Sequence, residues 1–416
     1  MKCTTSRRSD RAVSLHLVSL TMSLHRLALR AFFTATLVAC AGIASAQSLP
    51  PPEVAAKSYI VVDLTTHQTL AERNADAPSD PASLTKLMTA YVVFQALRDK
   101  KLALEQKLPV SKLAWSERKG GGSLMFIDTT MTPTVDELLK GVIVQSGNDA
   151  SVALAEGVAG SVDVFVGMMN RQAQAWGLKN TSFKNVTGLT QPGHTSTARD
   201  MSVIAAHIIS DFPEYFPYYS IKDFRYNNIA QPNRNVLLRR DPTVDGMKTG
   251  YTEAAGYCLL ATAQREFPNL GPAGGAGKRR IMTVVLNTNS MEARANESQK
   301  LLNWGFQAFD TVRLFDGGKP IVTPQVWKGT ADVAKLGAGG PMYVSVPKGE
   351  GGKLQTRIER TDPLVAPLAK GQRVGKIVVT TSSGAPVIDV PLVVMEPVEQ
   401  SGIFGRAWDA LRLWIK

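Results

Sequence analysis

A serine and a lysine three residues apart carry the first chemistry in this chain, in Pro81-Ala82-Ser83-Leu84-Thr85-Lys86-Leu87-Met88-Thr89-Ala90. Read as a helix running from Ser83 to about Leu97, the stretch puts positions i and i+3 on one face and the Lys86 amine beside the Ser83 hydroxyl. A free lysine, with a pKa of about 10.4, is a poor base at neutral pH. Burial among Leu84, Leu87 and Met88 would disfavour its charged form and free a lone pair for the serine proton. Unpaired N–H groups at the helix start would favour the negative charge that develops on attack. A second match, Ser116-Glu117-Arg118-Lys119, lies in polar, glycine-flanked sequence with no apolar wall, and reads as a solvated loop.

Two later segments complete a set. Gln145-Ser146-Gly147-Asn148-Asp149 links an apolar helical run to a small-residue helix, and Asp245-Gly246-Met247-Lys248-Thr249-Gly250 opens a strand. Ser-x-x-Lys, Ser-x-Asn and Lys-Thr-Gly in this order are the motifs of penicillin-binding proteins and their β-lactamase relatives. The chain resembles the low-molecular-mass penicillin-binding proteins, D-alanyl-D-alanine carboxypeptidases of serine peptidase family S11, of the penicillin-binding protein 5 and 6 type. Ser123-Leu124-Met125-Phe126, Gly177 to Thr181, Asn233-Arg234-Asn235, Ala255-Gly256-Tyr257 and Leu301 to Phe306 also read like that family, and the resemblance covers about residues 48 to 416.

The resemblance implies an acyl-enzyme mechanism on peptidoglycan stem peptides, with β-lactams as covalent inhibitors. Ser83 is then the nucleophile and Lys86 the base that activates it. Ser146 and Lys248 pass a proton to the departing D-alanine, and Asn148 orients Lys86 and hydrogen-bonds the substrate amide. Backbone N–H groups of Ser83 and Tyr251 form the oxyanion site. Lys248, Thr249 and Gly250 form the substrate-binding segment. Arg294 and Arg234 are further candidates for the substrate carboxylate, Arg294 ahead because a guanidinium grips that group in a bidentate fashion. Tyr251 is a departure, since relatives often carry histidine after Lys-Thr-Gly. An oxyanion role uses only its backbone, so activity should survive while substrate preference and deacylation come into question. His67, His194 and His207 lack ligand spacing, so neither a metal nor another cofactor is expected.

These groups need a scaffold, and 416 residues with 44% hydrophobic content can bury one large core and a smaller one. The expected fold is an α/β (α+β) catalytic domain of the serine β-lactamase/transpeptidase kind over residues 47–310, with an antiparallel sheet and a helical subdomain. Strands are expected at Ser58 to Asp63 and Thr69 to Arg73, between Gly246 and Ala263, and at Ile281 to Leu286. The glycine-rich spacer Asn269 to Lys278 reads as a flexible hairpin loop. Helices are expected after the capping box Thr134-Val135-Asp136-Glu137, and at Asn148 to Ala159, Val162 to Trp176, Ala198 to Ile209 and Ala295 to Phe309. Residues 311–397 read as a small all-β domain, and 398–416 as an amphipathic helix with Ile403, Phe404, Trp408, Leu411, Trp414 and Ile415 on one face.

Residues 1–46 read as a secretory signal peptide, with Arg26 and Arg30 before an apolar run and Ala44-Ser45-Ala46 as the cleavage pattern. The basic stretch 1–21 suits a misassigned start, with Met22 the alternative. A lipoprotein signal acylated at Cys40 is a competing reading. Cleavage after Ala46 leaves Cys258 as the single cysteine, so no internal disulfide is expected. The leader holds six Lys or Arg and one Asp, so the net charge of +12 becomes 41 minus 34, or +7. That balance suits anionic lipid and wall surfaces, while export and scattered basic residues speak against nucleic acid. The expected location is the periplasmic face of the inner membrane, held peripherally by the C-terminal helix. A β-lactamase, a DD-endopeptidase and a non-catalytic penicillin-binding sensor are the competing functions. Ser-Gly-Asn in place of Ser-Asp-Asn argues against the first, and the intact lysines and Ser146 against the last.

Overall fold

The first two strands, β1 (Ser58–Asp63) and β2 (Gln68–Arg73), pair as an antiparallel hairpin. They belong to a computed structural model that describes residues 49–267 and 277–415. The signal-peptide segment, Met22, Cys40, Lys416 and the spacer from Asn269 to Ala276 lie outside the described residues.

The chain enters the nucleophile helix differently from the sequence pattern. Ser83 sits in a 3-10 turn, Ala82–Leu84, and the α-helix proper, α1, spans Thr85–Arg98. Ala82 takes φ of +46°, a conformation that is costly for a side-chain-bearing residue and cannot be the first turn of an α-helix. The second Ser-x-x-Lys match is a correction: it is helical, not a loop. Helix α2 (Lys112–Ser116) begins where the Ser111 hydroxyl accepts the Ala114 N–H, and a 3-10 turn follows at Glu117–Lys119. The Ser116 hydroxyl donates to the Leu113 carbonyl.

Thr134 and Glu137 form the expected capping box of α3 (Val135–Lys140). The helix widens into a π-turn at Gly141–Gln145 and stops at Ser146, whose φ is +69°. Helices α4 (Asn148–Ala159), α5 (Val162–Ala175) and α6 (Ala198–Asp211) complete the helical subdomain. A short hairpin, β3 (Asp223–Tyr226) and β4 (Ile229–Pro232), and the single-turn α7 (Leu237–Arg240) follow without a sequence period to announce them. Strands β5 (Val244–Thr252), β6 (Gly256–Phe267) and β7 (Gly277–Thr288) lead to α8 (Met291–Ala308). Ser290 caps α8 by accepting the Ala293 N–H, so the helix starts before Ala295 and Arg294 falls in its first turn.

The five strands form one antiparallel sheet in the order β2-β1-β7-β6-β5. Strand side chains alternate between two cores, as a period of two requires. Ile60, Leu260, Met282, Val284 and Leu286 face the helical subdomain, while Tyr59, Val61, Leu259, Ala261, Ile281 and Val285 face α8. Both faces are covered, which explains the near-continuous apolar runs. Cys258 is buried on the helical side.

Beyond α8 the chain becomes all-β: β8 (Phe309–Phe315), β9 (Val326–Trp327), β10 (Leu336–Gly337), β11 (Met342–Pro347), β12 (Gln355–Arg360), β13 (Leu364–Val365), β14 (Arg373–Thr380) and β15 (Pro386–Val394). They enclose a separate core that includes Val312, Val344, Ile377, Val379 and Leu392. No residue separates α8 from β8, and a buried cluster fixes the junction. The Asp63 carboxylate receives the Arg279 Nε–H at 2.7 Å and the Ser345 hydroxyl at 2.5 Å, with side chains of Arg279 and Asp63 only 3% and 0% exposed.

The chain ends in α9 (Ile403–Ile415). Asp409 accepts the Lys328 N–H at 2.6 Å, and the Arg412 guanidinium lies 5.6 Å from the Trp327 ring centre. The polar side of the helix therefore meets the β-domain. Phe404 and Trp414 are 92% and 85% exposed.

Candidate active site

Ser83, Ser146, Asn148, Arg234, Thr249, Gly250, Tyr251 and Arg294 line one cleft of about 300 Å³, and Lys86 and Lys248 lie buried against it. The 3-10 turn supplies Ser83, the left-handed end of the α3 π-turn supplies Ser146, and the first residue of α4 is Asn148. Strand β5 is the sheet edge beside the 3-10 turn. A β-carbon on Gly250 would lie 3.3 Å from the Ser83 nitrogen, so the nucleophile turn and the Lys-Thr-Gly strand are in contact. This proximity brings the Ser83 and Tyr251 backbones to one end of the cleft.

Lys86 is 1% exposed, and its Nζ is 3.0 Å from Ser83 Oγ, 2.8 Å from Asn148 Oδ1 and 2.6 Å from the Thr187 carbonyl. A neutral amine has two N–H donors and one lone pair. The two carbonyl oxygens accept both N–H groups, which leaves the lone pair for the Ser83 O–H. Burial pulls the Lys86 pKa down to about 7, against the opposing charge of Glu117, which raises it. An amine of that pKa is a competent base near neutrality. Acylation of Ser83 is therefore expected to rise with pH through about 7 and to level off above it, because the rate follows the unprotonated fraction of Lys86. A pH profile of the acylation rate checks this; a limb near the pKa of free lysine would contradict it.

Lys248 is also buried, and its Nζ is 2.9 Å from Ser146 Oγ and 3.0 Å from the Thr249 carbonyl. Burial, then the neighbouring Lys86, holds its pKa well below the ordinary lysine value. The Ser146–Lys248 pair can relay a proton, with the Lys86 charge close by.

Both arginines reach the cleft and are held differently. Arg294 is buried, donates to the Gly250 carbonyl at 3.1 Å and lies over the Tyr257 ring. Arg234 is exposed on the cleft wall, and among the described residues its guanidinium has neither a hydrogen-bond nor an ion-pair partner. Arg234 is thus the freer of the two to take a carboxylate. Tyr251 is 52% exposed, with its ring 4.3 Å from that of Tyr257.

Three contributors escape sequence reading. The Thr187 carbonyl comes from a loop whose turn is tied by Asn185, which accepts the Thr187 and Gly188 N–H groups. Gly188, at φ of +86°, passes so close to the nucleophile turn that a β-carbon would come within 1.8 Å of the Ala82 oxygen. Asp149 accepts the N–H groups of Met125, Phe126 and Ile127, fixing the segment that follows Ser123 at the cleft wall. The Ser-Gly-Asn-Asp sequence was the available signal for Asp149. A backbone carbonyl leaves none.

The profile of the D-alanyl-D-alanine carboxypeptidase family matches residues 45–294, and that of the penicillin-binding protein 5 C-terminal domain matches residues 309–400. The chain is 44% identical to D-alanyl-D-alanine carboxypeptidase DacC of Escherichia coli (strain K12), over 90% of this chain and 92% of that one. It is 40% identical to the DacA enzyme of the same organism, over 87% and 88%. The crystal structure of penicillin-binding protein 5 from Haemophilus influenzae superposes with a TM-score of 0.79 at 41% identity, covering 85% of this chain and all of that one.

Proposed function

The chain belongs to the D-alanyl-D-alanine carboxypeptidases of serine peptidase family S11, of the penicillin-binding protein 5 type, and we infer that it removes the terminal D-alanine from peptidoglycan stem pentapeptides through an acyl-enzyme on Ser83. The observation that carries the mechanism is the buried Lys86 amine, whose two N–H groups are accepted by carbonyls and whose lone pair meets the Ser83 hydroxyl. Lys86 takes the serine proton as Oγ attacks the D-alanyl carbonyl carbon. The oxyanion is received by the Ser83 and Tyr251 N–H groups. Ser146, backed by Lys248, protonates the leaving nitrogen, and the C–N bond breaks. Asn148 orients Lys86 and the substrate amide, while Lys248, Thr249, Arg234 and Arg294 present hydroxyl and cationic groups to the D-alanine carboxylate. Water then releases the shortened peptide. A β-lactam offers the same amide in a ring and is trapped at Ser83.

Fluorescent penicillin is expected to label the parent at Ser83, the parent to release D-alanine from a pentapeptide, and Ser83→Ala to do neither. A label mapped to another serine, or monomers released from cross-linked muropeptides without free D-alanine, would overturn this reading.

The C-terminal helix supports a peripheral position on the periplasmic face of the inner membrane. Its polar side meets the β-domain through Asp409, so Ile403, Phe404, Trp408, Leu411 and Trp414 remain exposed, and Arg406 and the exposed Arg412 at the rim of that contact carry positive charge toward anionic headgroups. Each large side chain buried at an interface contributes about 1.5 to 3 kcal/mol before ordering costs. Deleting Ile403 to Lys416 is expected to abolish salt-sensitive co-sedimentation with anionic vesicles while pentapeptide cleavage continues. Equal sedimentation with and without the tail would refute the anchor and redirect attention to Cys40.

A further inference from the structure

The stretch from Ser116 to Lys119, which the reaction above does not use, brings an acid to the back of the Lys86–Asn148 pair. Glu117 sits in the turn after α2, and its Oε2 is closed off from solvent with no hydrogen-bond partner. Asn148 Nδ2 is likewise closed off and unpartnered, while Oδ1 of the same amide accepts from Lys86. The two orphans belong together: the Glu117 carboxyl interacts with the Asn148 amide, although the pair does not reach hydrogen-bond geometry. Gly122 covers the amide, and a β-carbon there would come within 2.2 Å of Nδ2. Unpaired buried donors and acceptors are costly, so this juxtaposition calls for a physical reason.

The amide has two orientations. In the observed one, oxygen meets the Lys86 N–H and nitrogen meets a carboxylate. Turned over, it would set donor against donor at Lys86 and acceptor against acceptor at Glu117. We propose that Glu117 is a positioning residue for acyl transfer, whose carboxylate keeps the Asn148 oxygen turned to Lys86 and supplies a negative charge that offsets the burial of that lysine. This rests on Lys86 being the base that activates Ser83.

The charges around Lys86 come from several elements: Glu117 after α2, Asp149 in α4, Arg234 before α7 and Lys248 in β5, with His194 in the loop before α6. Of the two anions, Asp149 is already engaged by backbone N–H groups, whereas Glu117 keeps an unpaired oxygen. Glu117 favours the protonated lysine, so removing its charge moves the Lys86 titration to lower pH.

The test is the pH profile of penicillin acylation for the parent, E117Q and E117S, with a thermal melt for each. E117Q keeps an amide oxygen for Asn148 but loses the charge. Its acidic limb is expected to move down by about one pH unit, the lower end of what an opposite charge gives beside a buried group, with the plateau retained. E117S loses both and is expected to show the same shifted limb and a plateau several-fold lower. If E117Q does not accumulate, E117S alone reads the limb. A limb that stays with the parent's in the folded variants, or a lower rate at every pH with the limb in place, would overturn the proposal. A parent that is not labelled at Ser83 would instead refute the assignment of function on which it rests.

Discussion

Lys86→Ala is expected to acylate about 10³ to 10⁴ times more slowly than the parent above neutral pH, while remaining folded. The loss is large because no other buried amine touches Ser83 among the described residues, and because the lone pair is aimed by two acceptors that hold the N–H groups elsewhere. The fold should survive because removing Lys86 acts on stability in both directions. Truncation leaves a cavity and frees the Asn148 and Thr187 oxygens, but it also removes a lysine that folding strips of its proton. The sign of that second effect is testable. The folded amine titrates near 7 and the unfolded one near 10.5, so between those values the unfolded state binds one more proton. Parent stability should therefore rise with pH across that window, by about 1.4 kcal/mol per unit from this group, and the variant should lack that contribution. Denaturant melts at several pH values give the comparison. Acylation by Lys86→Ala at the parent rate would mean that another base serves Ser83.

Arg279→Ala is expected to cost about 3 to 5 kcal/mol of stability, because it leaves the Asp63 carboxylate buried without its cation. Asp63 keeps the Ser345 hydroxyl and the Thr65 and Thr66 N–H groups, which soften the loss without replacing the charge. By contrast, Arg199→Ala breaks ion pairs to Glu72 and Asp76 that are partly exposed, and is expected to cost under about 1 kcal/mol. Replacing Asp63 and Arg279 together by apolar residues of similar volume should cost less than Arg279→Ala alone. Equal effects of Arg279→Ala and Arg199→Ala in urea melts would show that burial at this junction carries no special weight.

The residues that chemistry needs as side chains were legible, and the groups that geometry needs as backbone were not. Ser83, Lys86, Ser146, Asn148 and Lys248 stand in three short motifs, and the cleft collects all three. The Thr187 carbonyl and the left-handed turns at Ala82 and Ser146 leave no mark that residue types reveal. Glu117 was misplaced with its polar neighbours, because nothing local distinguishes an acid that turns inward from one that faces water. How Arg234 and Arg294 are held was not legible either, because the hydrogen bond from Arg294 to the Gly250 carbonyl depends on a contact that residue types do not show. Strands such as β1, β6 and β7 were readable as near-continuous apolar runs, because two cores demand apolar residues on both faces. The β3–β4 hairpin and the two-residue strands of the second domain are too short to carry a period.

The junction at Asp63, Arg279 and Ser345 also decides how far the enzyme can reach. A domain hung on a loose linker sweeps a volume that grows with linker length. Here helix α8 runs into β8 without an intervening residue, and the ion cluster clamps the sheet to β11. The β-domain is then a strut, not a leash. With the tail lying in the headgroups as proposed, a strut sets a nearly constant altitude for the cleft above the lipid. Stem peptides would be trimmed within one stratum of the wall, and which strands are shortened would depend on how close they lie to the membrane as much as on their sequence.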